Sequence, residues 1–297
     1  MAARLTARIR EHRIYFLDEC FISAILSAPS VIALTEVNFH PFNNMIEINN
    51  SISGSPSLDE KTSANHVETL RPSLYKTTMQ ELLAPGRFID SNARSIVELA
   101  HSVTAGLHGE IDRIVRLYHA VRDSIIYDPY VDVFDQQNYR ASSVLATGRG
   151  FCIGKSALLA ATARVIGVPA RVGYADVRNH MTSRRLRERT KSDTFIWHSY
   201  TDLYIDGRWV KATPVFDQTL CERVGLKPLE FDGRQDSLFH PFDREGRRHM
   251  EYLRDRGTFP DVPFEAIRAD FKIAYPSLVS ECGLKGDFHA EAIASSD

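Results

Sequence analysis

The stretch that most constrains this chain is Gly148-Arg149-Gly150-Phe151-Cys152-Ile153-Gly154-Lys155-Ser156, followed by the run Ala157 to Ile166 and stopped by Gly167-Val168-Pro169. The run after the cysteine is rich in Ala and Leu, which are strong helix formers, and glycine and proline close it. A glycine-rich turn therefore leads into a helix whose first residues include a cysteine. A helix N-terminus presents unpaired backbone N–H groups and the positive end of the peptide dipole. Both favour an anion, and a thiolate held there is a stronger nucleophile than an ordinary thiol. The competing reading is packing, because free cysteine is among the most buried residue types.

Strand patterns follow the helix. Ala170 to Ala175 alternates with Val and Tyr, and residues 195–205 (FIWHSYTDLYI) read as a strand carrying His198. Asp206-Gly207 is a two-residue hairpin turn, with Arg208 to Ala212 as the returning strand and Thr213-Pro214 at its end. Between the first two strands, the arginine-rich segment 176–191 reads as an exposed excursion containing a solvated helix. Upstream, 91–107 has helical spacing with Asp90 or Ser91 as its cap. Residues 110–126 place Ile111, Ile114, Val115, Tyr118 and Val121 on one face, with His119 at the core edge. Beyond Asp217, residues 238–252 suggest loops and one short helix, and 262–274 a last helix.

Composition narrows the function classes. Hydrophobic residues make up 43% and charged residues 25%, with a net charge of −2. That is an ordinary globular balance without the basic excess expected of a nucleic-acid binder, despite Arg184, Arg185, Arg187 and Arg189. The 4 cysteines (Cys20, Cys152, Cys221, Cys282) form no C-x-x-C pair and no zinc spacing. A reducing, cytoplasmic setting fits such usage. The apolar run 20–34 is too short for a membrane span; as a signal-peptide core it is the weaker alternative to a buried element, and Met45 is an alternative start. Residues 49–66 are Ser/Asn-rich and polar, so the division read from sequence is an N-terminal arm and linker (1–66), a catalytic domain with extension (67–275) and a tail (276–297). His240 and His249 lack a third ligand, so no metal or other cofactor is expected. No G-x-S-x-G elbow supports a serine hydrolase.

The order of these elements resembles the transglutaminase-like superfamily, related in fold to papain-like cysteine proteases. The resemblance rests on G-x-G-F-C-x-G-K-S-A-L-L-A-A, G-V-P-A-R-V and W-H-S-Y-T-D-L-Y-I-D-G-R-W-V-K-A-T-P, within residues 110–220. It implies an α+β fold in which the cysteine-bearing helix packs on a small antiparallel sheet. It also implies a Cys-His-Asp triad with Cys152 as nucleophile and His198 as base, in a thiolate–imidazolium pair. The reaction implied is hydrolysis of a peptide, protein or small amide, or transfer of its acyl group to an amine, without nucleic-acid or membrane partners. The sequence departs from the family at the third member, where Thr213 occupies the slot usually held by the aspartate. Asp217 is the favoured substitute, Thr213 the alternative, and Asp176 and Asp202 are outside candidates. Trp197 and Asn179 are candidate substrate contacts, with packing and surface placement as their competing readings. The departure at Thr213 keeps a non-catalytic binding domain as the alternative function.

Overall fold

The computed structural model describes residues 37–40, 45–48, 79–180, 183–239, 246, 249–279 and 286–294. The apolar run 20–34, the linker 49–66, Cys20, His240 and Cys282 lie outside the described residues. The chain divides into two units, Met1–Ala64 and Asn65–Asp297. In the first, β1 (Val37–His40) pairs antiparallel with β2 (Met45–Ile48).

The second unit is built around one helix. Helices α1 (Arg94–Val103), α2 (Glu110–Ser124) and α3 (Ala141–Thr147) precede α4 (Cys152–Val165), and the short strands β3 (Ile126–Tyr127) and β4 (Arg149–Gly150) pair in parallel between them. Every residue of α4 from Ile153 to Arg164 is buried. Its sequence carries no apolar stripe opposed to a polar one, as suits a helix surrounded on all sides, and its few polar side chains are buried with the rest. It packs against α1, α2 and α3 and also against strands β5 (Ala170–Asn179) and β6 (Thr194–Ile205). Two contacts fix its cysteine end. Lys155 is fully buried and its Nζ donates to the carbonyls of Arg122 (2.8 Å) and Ile125 (2.5 Å) at the end of α2. At Gly154 an added Cβ would stand 2.5 Å from the Asn138 carbonyl oxygen and 2.8 Å from Val144 Cγ2, so the first turn can approach this closely only with glycine.

The main sheet has the order β7-β6-β5-β8, all antiparallel, where β7 is Arg208–Ala212 and β8 is Met250–Phe259. Asp206 (φ 47°) and Gly207 (φ 79°) turn the β6–β7 hairpin in the left-handed region that such two-residue turns need. Helices α5 (Arg184–Thr190), α6 (Gln218–Arg223), α7 (Phe264–Ala274), α8 (Pro276–Val279) and α9 (Phe288–Ala294) complete the unit. This is the α+β arrangement expected: a cysteine-bearing helix on a small antiparallel sheet. No helix among the described residues is long and apolar enough to cross a membrane.

Several local expectations change. Helix α1 starts at Arg94 without a side-chain cap. Asp90 instead serves the first turn of α3, accepting from the Ser142 N–H (3.0 Å) and hydroxyl (2.5 Å) and from Arg140 (2.8 Å). Strand β5 runs on to Asn179, and α5 is capped by Ser183, whose hydroxyl accepts from the Leu186 N–H at 3.3 Å. The last turn of α5 is not solvated, because Arg189 and Thr190 are buried. The largest difference is β8, where loops and a short helix were expected through residue 252. Its charges (Glu251, Arg254, Asp255, Arg256) suit an edge strand, and two register shifts against β5 break the alternation by which strands are recognised.

Candidate active site

Cys152 sits half-buried at the first residue of α4, preceded by Phe151 in extended conformation with no side chain capping the helix. Burial pushes its thiol up to about 11, against the N–H groups of Ser199, Ile153 and Cys152 itself, which favour the thiolate. The Ser199 N–H comes from β6, so the helix terminus and the sheet meet at the sulfur.

A bulge in β6 directly precedes the histidine that lines the same cavity as this sulfur. Between the register pairs Ala175–His198 and Val177–Phe195, two residues of β6 stand opposite Asp176 alone. One of them, Trp197, has φ 60°, which is rare for a bulky residue and costs on the order of 1–3 kcal/mol. The surroundings hold it there. The Trp197 N–H donates to Asp176 (3.1 Å) and its indole N–H to Asp270 (2.8 Å). The Arg256 guanidinium joins Asp176 and Asp270 and lies 4.6 Å over the indole ring. The strained residue thereby re-aims the strand at His198.

His198 is buried, and its Nε2 has no hydrogen-bond partner among the described residues. Burial, then the nearby His249, lowers its pKa to about 4. Phe239 contacts both imidazoles, 5.1 Å from the ring of His198 and 5.8 Å from that of His249. At neutral pH the electrostatics therefore favour an uncharged thiol and an uncharged imidazole over the thiolate–imidazolium pair implied by the family resemblance.

The acidic candidates are engaged elsewhere. Asp217 caps α6 by accepting from the Leu220 N–H (2.9 Å), accepts from the Tyr127 N–H (3.3 Å), and pairs with His289 Nε2 at 3.2 Å. Burial alone would raise its pKa, but His289 and the two N–H donors outweigh burial and hold the carboxyl at about 2. Asp202 pairs with Arg171 at 2.8 Å, and Asp176 belongs to the Trp197 clamp. The Thr213 hydroxyl is buried without a partner, while its carbonyl accepts from the Tyr118 hydroxyl at 3.2 Å. Among the described residues no carboxylate is hydrogen-bonded to His198.

Cys152 and His198 line one cavity of about 160 Å³, together with Trp197, Asn179 and His249. Asn179 ends β5, its N–H donating to the Asp193 carbonyl at 2.9 Å. Cys221 is a buried residue of α6. No group of three His, Cys, Asp or Glu side chains among the described residues could hold a metal ion. Sequence reasoning did not assign site roles to His249, Phe239, Arg256 or His289. Phe239 packs on the histidine, His249 acts on its charge, Arg256 fixes its neighbour Trp197, and His289 stands against Asp217, the favoured carboxylate.

Residues 97–214 match the family model of the transglutaminase-like superfamily. No curated protein matches the chain. One similar solved structure is titled "Putative Cysteine Protease from Cytophaga hutchinsonii"; it is 17% identical, with a TM-score of 0.40, over 64% of this chain and 50% of that one. Another, a "putative protease from Parabacteroides distasonis", is 13% identical, with a TM-score of 0.30, over 46% of this chain and 25% of that one. The chain thus spans half the length of the first and a quarter of the second.

Proposed function

We propose, taking the transglutaminase-like core as the premise, that this protein is a cysteine-dependent amide-bond enzyme working through a Cys152 thioester. The observation that carries the reading is that the Cys152 sulfur receives the N–H of Ser199, the residue after His198, while both side chains line one cavity. His198 contributes an uncharged imidazole whose Nε2 has no partner among the described residues, and so acts as a general base during attack rather than as half of a preformed ion pair. The thiol sulfur bonds to the amide carbonyl carbon as its proton passes to His198. The carbonyl oxygen takes up the displaced electron pair and is stabilised by backbone N–H donors around the helix terminus. The C–N bond then breaks, His198 returns the proton to the leaving amine, and a thioester remains. Water or a second amine resolves that thioester, giving hydrolysis or transfer.

That no carboxylate is bonded to His198 among the described residues favours one second reading, a binding domain that keeps the fold without turnover. A trapping experiment separates the two. The protein is incubated with a panel of amides and then with hydroxylamine, and both protein mass and hydroxamate release are measured. An acyl adduct and hydroxamate that both disappear in Cys152→Ala support the enzyme. No adduct from any amide, with wild type folded and its thiol alkylated normally by iodoacetamide, supports the binding domain.

A further inference from the structure

Aromatic rings make up much of the wall beside the thiol. Tyr127, Phe151, Phe195, Phe216 and Phe288 all line the cavity that holds Cys152 and His198. Several of them meet edge-on: Tyr127 and Phe216 at 4.9 Å and 80°, and Tyr127 and Phe288 at 5.7 Å and 75°. The polar groups along the lining are largely engaged with their own backbone. Asp132 accepts from the Phe134 N–H (2.9 Å), Ser183 from the Leu186 N–H (3.3 Å), and the Thr190 hydroxyl donates to the Leu186 carbonyl (2.9 Å). Asp132 and Arg189 give the lining one acid and one base, so neither sign of charge dominates it.

We propose that this cavity is a specificity pocket for one aromatic ring carried on the acyl side of the substrate, next to the carbonyl that Cys152 attacks. The size fits, since an apolar cavity of roughly 150 Å³ holds a benzene molecule. Edge-on walls favour a further ring, because aromatic pairs gain from that geometry beyond the area they bury. A flexible linear chain would also lose more rotamer freedom on entry than a ring with two torsions. Leu186 on α5 and Leu278 on α8 are among the aliphatic side chains that line the pocket.

The assignment of the ring to the acyl side rests on the amide chemistry proposed above, but binding of the ring is measurable without it. Calorimetry on the full chain carrying Cys152→Ala compares N-acetyl-phenylalaninamide with the alanine, norleucine and glutamine amides. The expected result is that the phenylalanine amide binds about 10- to 100-fold more tightly than the alanine amide. It should also bind more tightly than the norleucine and glutamine amides. In Leu186→Trp and Leu278→Trp, each of which adds bulk to the lining from a different helix, that preference should vanish. Equal binding of the four amides, or a preference for the linear or polar one, overturns the proposal. So does a ring preference that survives in both variants. If neither variant folds, the wild-type ranking of the four amides decides alone. Ring-selective binding without a trapped acyl-enzyme leaves the pocket standing and removes the catalytic reading. A trapped acyl-enzyme without ring preference does the reverse.

Discussion

His198 and His289 meet their surroundings in opposite ways. His198 is buried in the wall of the cavity that Cys152 also lines, with no carboxylate bonded to it among the described residues, and its pKa falls to about 4. His289, on the last helix, stands 3.2 Å from Asp217 and helps hold that carboxyl at about 2. Among the described residues, the histidine that shares the thiol's cavity has no carboxylate beside it, whereas the histidine that has one stands on α9 against the cap of α6. Proximity in the chain thus does not decide where a carboxylate acts. Asp217 lies shortly after the hairpin that carries His198, yet it is claimed by a residue from the far end of the sequence.

Four measurements break or sharpen this contrast. The largest effect is expected at the nucleophile: Cys152→Ala should reduce amide turnover by at least about 10³-fold while the protein stays folded. Turnover that persists would move the chemistry away from this thiol. Next, His198→Ala should cost about 10²- to 10⁴-fold. The acid limb of the wild-type rate profile should lie near pH 4, because the base is lost only when His198 takes a proton. An acid limb near 6.5 would mean that His198 has a charged partner during turnover. The third is Asp217→Asn. The folded pKa of Asp217 lies below its ordinary 3.8, so its contribution is present above about pH 4 and fades as pH falls towards 2. Wild type should therefore exceed the variant by about 2 kcal/mol in urea unfolding at pH 7, with the gap closing in acid. Turnover should change less than about 10-fold, and a loss above about 100-fold with a displaced acid limb would return Asp217 to the service of His198. The smallest effect belongs to Thr213→Val. Removing a buried hydroxyl without a partner should alter stability and turnover by no more than about 1 kcal/mol. A large rate loss there would make the hydroxyl the orienting group.

What the sequence makes legible is local. The glycine turn into an Ala/Leu-rich helix, the strand alternation and the Asp206-Gly207 hairpin each compress their physics into a few consecutive residues, and together they describe the fold around α4. The rest of the site depends on segments far apart in the chain. Arg256 reads as one charge among several until β8 pairs with β5 and brings it over Trp197. Nothing near Phe239 or His249 indicates that they act on His198, since that arrangement exists only after the chain has returned to the sheet. Asp217 illustrates the same limit. Its cap on α6 follows from the adjacent sequence, but its pairing with His289 does not.

The burial of α4 on every side has a consequence for how the protein fails. A helix with a solvent face can fray while the rest of a domain persists, and its amides then exchange with solvent through small openings. Helix α4 has no such face, so its amides should exchange only when the whole unit opens, and the alignment of the Cys152 sulfur shares that protection. Loosening of the β8 edge or of the short α9 leaves the nucleophile where it is. Displacement of the thiol by denaturant should therefore track global unfolding as one event, with no population in which the fold survives and the thiol has drifted.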